Sequence, residues 1–279
     1  MRQFTLLFFA LFTLSLSAAE GGDNSQEVYD RVYAQLSYCG NCESSPANDL
    51  VLTAQELLAT PYVAGLLEGE REELIVDLTQ TDCILFVESC LAAVADAQME
   101  FPSYDNFKDN VRRLRYRNGR VDGYASRIHY TSEWIAQGER MGCFEEVTAR
   151  LSGEKFNQEF SFMSENYTLY PKLKESPQLR AEIEKIEERL NSAQEYYMIP
   201  SQRVAQVLSQ IEDGDIVAFV TSVKGLDISH IGIINRLGER VTFIHASSLA
   251  GEVVIHPTDL VDYINSSSKI RGIRLIRLR

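Results

Sequence analysis

The sequence predicts an α+β fold in which a helical N-terminal part packs on an antiparallel sheet. Two observations carry this. Up to about residue 200 the apolar residues of the clearest segments recur at three- and four-residue spacing, the period of a helix with one buried face. From Asp213 onward they form short apolar runs divided by turn residues, the pattern of consecutive strands. Helices first and strands second fits an α+β chain better than alternating βαβ units. With 279 residues and 45% hydrophobic content the chain can bury a sizeable core. It contains no internal repeat and no low-complexity tract.

Met1-Arg2-Gln3, the apolar run Phe4 to Leu16 and then Ser17-Ala18-Ala19 form a secretory leader, cut near Ala19. The run is too short to span a bilayer, and no cysteine near its exit suggests a lipid anchor. The protein is therefore expected to be exported to the periplasm without stable membrane insertion. One catalytic domain is expected over residues 20–279, with helical additions at about 20–59 and 140–200.

Glu27 to Leu58 reads as helical segments around a Cys/Gly/Ser/Pro loop, with Asn48-Asp49 opening the stripe Leu50, Val51, Ala54, Leu57 and Leu58. Thr60-Pro61-Tyr62 breaks it, and Glu73 to Asp77 reads as extended. After Cys83 the positions Phe86, Val87, Cys90, Leu91 and Val94 mark a helix. Pro177 to Tyr197 is the clearest helix of all, with Leu179, Ile183, Ile186, Leu190 and Tyr197 on one face and charges on the other. The strands are Asp215–Val220, His230–Asn235, Val241–Ser247, Val253–His256 and Gly272–Leu278.

The formal net charge of −13, one unit more negative without Arg2, disfavours nucleic acid as a partner. Against this acidity, Val111 to Trp134 holds Arg112, Arg113, Arg115, Arg117, Arg120 and Arg127. Such a run is either a solvated face or a wall that binds carboxylates, with Arg127 as its inward member. Five cysteines leave at least one outside any intramolecular disulfide. Cys39-Gly40-Asn41-Cys42 reads as a disulfide, a redox pair or half of a metal site, with the disulfide favoured. Cys90 reads as core, and Cys143 carries no reading.

Thr79, Thr81 and Asp82 can each cap the helix that follows, so Cys83 falls in its first turn. There the unpaired N–H groups and the dipole favour a thiolate. Cys83 is thus either a nucleophile or a buried structural cysteine. The second and third strands supply a base. If they turn at Leu237-Gly238, with Arg236 opposite Glu239, His230 stands opposite His245 near one sheet edge, two imidazoles on one face. A Cys at a helix start with two cross-strand His residues suits a cysteine hydrolase: Cys83 attacks, His230 carries the proton, His245 holds its ring. The same residues, with Asp82 or water, are also a possible zinc set, though their spacing is wider than usual. His256, just before Pro257, reads as structural.

Tyr62 in Thr60-Pro61-Tyr62-Val63-Ala64-Gly65, Asp82-Cys83, Gly214-Asp215-Ile216-Val217, Ser229-His230-Ile231-Gly232-Ile233 and the strand with His245 resemble, in order, the NlpC-type cell-wall cysteine hydrolases, which have a papain-like α+β fold. The chain looks most like an N-acetylmuramoyl-L-alanine amidase-like branch. Asp82-Cys83 with Phe86-Val87-Glu88, Ser126-Arg127-Ile128-His129-Tyr130 with Trp134, and Gly225 to His230 carry that likeness. The resemblance implies Cys83 as nucleophile, His230 as base and His245 as third member. It implies substrate contacts from Tyr62, Asp82, Arg127, His129, Trp134 and Ser229, with no cofactor and no metal. The implied reaction is cleavage of the amide between N-acetylmuramic acid and L-alanine in muropeptides, including released 1,6-anhydro forms. The alternatives are a γ-D-glutamyl–diamino acid endopeptidase and a non-catalytic wall-binding module. Ile84-Leu85 after the Cys, and Ala64-Gly65-Leu66 where the superfamily carries Trp-Gly-Gly, depart from the endopeptidase pattern.

Overall fold

A computed structural model describes residues 24–39, 45–193 and 195–279. The expected leader, Cys42 and the side chain of Cys39 lie outside the described residues, and the pairing expected of those cysteines with them. In chain order the elements are α1 (Asn24–Cys39), α2 (Pro46–Glu56), α3 (Cys83–Ala97), α4 (Tyr104–Arg115), α5 (Thr131–Met141), β1 (Phe144–Glu146), β2 (Glu154–Phe156), α6 (Phe162–Glu165), α7 (Pro171–Glu175), α8 (Pro177–Ala193), β3 (Tyr196–Pro200), α9 (Val204–Val207), β4 (Ile216–Thr221), β5 (Ile228–Leu237), β6 (Arg240–Ser247), β7 (Glu252–Ile255), α10 (Leu260–Asn265) and β8 (Ile270–Leu278). No helix among the described residues is long and apolar enough to cross a membrane.

The fold is α+β, with one antiparallel sheet in the order β2-β3-β8-β4-β5-β6-β7 and β1 pairing β8. β4 lies between β8 and β5 and is buried along its whole length. Its continuous apolar run follows from this, because both faces of a central strand are covered. Ile216, Ala218 and Val220 join the larger core beneath α1 to α5 and α8, while Val217 and Phe219 face the smaller core with α9 and α10. α3 carries Phe86, Val87, Cys90, Leu91 and Val94 into the larger core, as their spacing requires.

Three differences from the sequence reading have physical causes. The helix from Pro177 ends at Ala193, and Tyr197 belongs to β3, where pairing with β2 overrides the helical spacing. β1 and β2, Phe-Glu-Glu and Glu-Lys-Phe, have no strand pattern of their own and form only because β8 and β3 present open edges. Glu73 to Asp77 is irregular chain instead of a strand, held by Arg115 and by Tyr116, whose hydroxyl donates to the Glu73 carbonyl at 2.8 Å.

Candidate functional site

Asp82 is the N-cap of α3. Its Oδ1 accepts from the N–H groups of Ile84 and Leu85 at 3.0 and 2.9 Å. Phe86 N–H returns to the Asp82 carbonyl at 3.0 Å. Ile84, Leu85 and Phe86 are thus satisfied among the amides left orphaned at a helix start, whereas the N–H of Cys83 faces its own sulfur. Asp82, expected to meet substrate, has its side chain committed to this cap.

β5 and β6 pair from Leu237↔Arg240 to Ile233↔Ile244 and no further. Beyond that point β5 continues along β4 and β6 along β7. The two strands therefore part in the middle of the sheet, and Cys83 meets them there, with the N–H of Ile231 directed at its sulfur. His230 precedes Ile231 in the chain. Its Nε2 lies 2.7 Å from Nδ1 of His245.

The register differs by two residues from the one expected. The turn is Gly238-Glu239, with Gly238 at φ +67°, a left-handed conformation that glycine adopts without strain. His230 and His245 are consequently diagonal neighbours at strand ends instead of opposite residues at a sheet edge. A shift of two preserves the face, so they still meet. Gly232 makes room for the contact: a Cβ there would stand 3.2 Å from Cβ of His245 and 2.9 Å from the Ile244 carbonyl oxygen.

His256, read from the sequence as structural, joins the pair. Its Nδ1 lies 3.2 Å from Nε2 of His245. The signal was present in the β6–β7 hairpin: with His245 opposite Val254, His256 stands two residues along on the same face. The three imidazoles run in a line through two ring-to-ring hydrogen bonds, of 2.7 and 3.2 Å. Among the described residues, no group of three or more His, Cys, Asp or Glu side chains is arranged to hold a metal ion.

Burial acts against the thiolate that the helix start favours. Burial, and then the charge of Asp82, push the Cys83 thiol up to about 12, overcoming the N–H groups of Ile231, Cys83 and Ile84. Burial, with the neighbouring His256, pushes His230 down to about 4. Burial and the charges of His230 and His256 push His245 down to about 3. Near neutral pH these shifts leave Cys83 a neutral thiol and His230 a neutral imidazole. Unfolded, these histidines take up protons from about pH 6.5; folded, they refuse them until about pH 4 and pH 3. The unfolded state therefore binds more protons in this window, and stability falls with pH by about 1.4 kcal/mol per unit for each histidine. Thermal melts between pH 7 and 4 are expected to show this fall; an unchanged Tm contradicts neutral burial.

Tyr62 borders Cys83. Its chain bridges Thr81 in parallel, its N–H donates to Gly251 O at 2.8 Å, and burial together with Cys83 and Asp82 pushes its phenol up to about 12. Ser229 is exposed, beside His230. The remaining expected residues have partners of their own within the fold. Arg127 is 6% exposed and ion-paired to Glu68 at 2.8 Å and Glu72 at 3.2 Å, so its charge clamps the chain between Tyr62 and Cys83 instead of facing an open wall. Arg112, Arg115 and Arg117 are likewise matched, by Asp109, Glu88 and Glu133. His129 bonds the Tyr124 carbonyl at 3.0 Å and stacks near that ring. Trp134 is core, 2% exposed with its ring 5.0 Å from Phe144.

Residues 52–273 match the family model described as N-acetylmuramoyl-L-alanine amidase-like. The chain belongs to this amidase-like family. Among solved structures it is similar to an N-acetylmuramoyl-L-alanine amidase from Bacteroides uniformis, with 35% identity and TM-score 0.80, over 85% of this chain and 100% of that one. It is also similar to a Bacteroides fragilis protein described as a candidate xylanase, with 37% identity and TM-score 0.76, over 81% and 98% of the two chains. A Legionella pneumophila protein, 19% identical with TM-score 0.67 over 91% and 94%, shares the fold. No curated protein matches the chain. Family membership supports a peptidoglycan hydrolase in broad terms.

Proposed function

We propose that this protein is an exported cysteine-dependent N-acetylmuramoyl-L-alanine amidase of the NlpC-type, papain-like superfamily, acting on muropeptides. The observation that carries the reading is the meeting of Cys83, at the capped start of α3, with the parted end of β5, where His230 is hydrogen-bonded to His245.

In this reading the sulfur of Cys83 attacks the lactyl carbonyl carbon of N-acetylmuramic acid. Because both resting groups are neutral, the thiol proton passes to His230 as the C–S bond forms. The oxyanion that develops takes a hydrogen bond from Cys83 N–H, the amide left over by the Asp82 cap. Collapse breaks the C–N bond, and His230 returns its proton to the departing amine of L-alanine. Water activated by His230 then hydrolyses the thioester. His245 Nδ1 accepts from His230 Nε2–H throughout and steadies the imidazolium. Tyr62 and Ser229 border the attacked group, and Arg127 serves substrate only through the loop it clamps.

Mass spectrometry of a muropeptide digest tests the bond choice. The expected products are a peptide-free sugar and an intact stem peptide with a free L-alanine amine. Release of L-alanyl-D-glutamate still joined to the sugar assigns an endopeptidase instead, and binding without any product assigns a wall-binding module.

A further inference from the structure

Three imidazoles in a line can carry their protons in two ways. In one, His230 Nε2–H donates to His245 Nδ1, and His245 Nε2–H donates to His256 Nδ1. All three rings then carry the proton on Nε2, and Nδ1 of His230 keeps a lone pair. In the other, every proton sits on Nδ1 and both bonds reverse, so that His230 Nδ1 becomes a donor unable to take a proton. The direction of two hydrogen bonds decides whether His230 is a base. His245 alone does not settle it, since its Nδ1 can meet His230 as donor or as acceptor, according to what its Nε2 meets.

We infer that His256 is a positioning residue that closes this line at its far end as the acceptor from His245 Nε2–H; the inference rests on the reading of Cys83 and His230 as nucleophile and base, because a His230 with Nδ1 free to take a proton requires both bonds to run in that direction. The residue is built in rather than incidental. Its backbone N–H donates to Phe243 O at 2.8 Å, and its backbone carbonyl accepts from Thr242 Oγ1 at 2.8 Å and from Arg240 at 3.3 Å. Phe243 stacks on it, with centroids 4.9 Å apart and planes 10° apart, and Tyr263 of α10 meets it edge-on at 4.6 Å. Packed on two sides, it presents Nδ1 to His245 in one orientation.

Its electrostatic surroundings favour the same role. The charged group beside it is Arg240, itself held by Asp259 at 2.8 Å, and the other facing groups are the uncharged rings of Tyr263, Phe243 and His245. A guanidinium next to His256 opposes placing a second positive charge there. The proton taken from Cys83 therefore stays on His230, where the leaving amine needs it, and does not drain along the line to solvent.

The test compares His256→Phe, which keeps a stacked ring without an acceptor, with His256→Asn, whose Oδ1 can replace Nδ1. Kinetics on a muropeptide and ¹⁵N NMR of histidine-labelled, ligand-free protein are read together. His256→Phe is expected to lower kcat on the order of 10- to 100-fold with KM nearly unchanged, and to bring Nδ1–H signals into His230 and His245. His256→Asn is expected to restore most of kcat and the Nε2–H pattern. Wild-type kcat or an unchanged proton pattern in His256→Phe overturns the inference. So does a His256→Asn protein as impaired as His256→Phe, and this second variant decides the matter alone if the first does not fold. Failure of the underlying reading looks different: Cys83→Ser turns over normally while the NMR pattern still responds to His256.

Discussion

Cys83→Ser is expected to fold as the parent does and to lose muropeptide turnover by on the order of 10⁴-fold or more. The size of the loss follows from the resting state. His230, held down to about 4, is a weak base, and Cys83, held up to about 12, is a reluctant acid. Attack works because sulfur forms its new bond while its proton leaves; a serine hydroxyl is less acidic still and less nucleophilic. Steady-state assays beside a thermal melt check the prediction, and near-parental turnover refutes the role of Cys83. The same neutral thiol should react slowly with iodoacetamide at neutral pH in the free protein.

Arg115→Met is expected to cost about 3–5 kcal/mol of stability, lowering Tm by roughly 10 °C in a chain of this size. Arg115 Nε meets Glu88 Oε2 at 2.8 Å with side chains 4% and 3% exposed, and its Nη1 donates to the Ile75 carbonyl. Removing the guanidinium leaves a carboxylate buried in α3, about one and a half turns from Cys83, and frees the irregular chain that leads to the site. Replacing Glu88 by Leu in the same protein should recover much of the loss, since the cost is that of the unpaired charge. Calorimetry of the three proteins checks this; a single variant that melts within about 2 °C of the parent contradicts it.

How far the sequence disclosed this arrangement varied with whether the cause was local. The helix of Cys83 and its cap were legible because an Asp before a three-and-four stripe acts within one turn. The strands from Asp213 onward were legible because their burial writes an apolar run into the sequence. β1 and β2 were not, since their residues pair only through β8 and β3. The histidines were found with the wrong register, because one glycine at positive φ moves the turn by a residue and the pairing by two. The surroundings of Cys83 were legible only in part. The helix start that favours a thiolate is written beside it, whereas the burial that disfavours one is not, and the Ile231 N–H directed at its sulfur comes from a strand about 150 residues away. Arg127 and Trp134 were read as substrate contacts, and the partners they have in the fold, Glu68, Glu72 and Phe144, are distant or unpatterned in sequence.

The central claim is that Cys83 takes the muramyl acyl group in covalent form. Single-turnover reaction of excess enzyme with a muropeptide, quenched in acid and analysed by peptide mass spectrometry, tests it most directly. The account predicts a thioester on the peptide containing Cys83 whose added mass is the muramyl group without any amino acid. An adduct on another residue, or one on Cys83 that retains L-alanine, contradicts it.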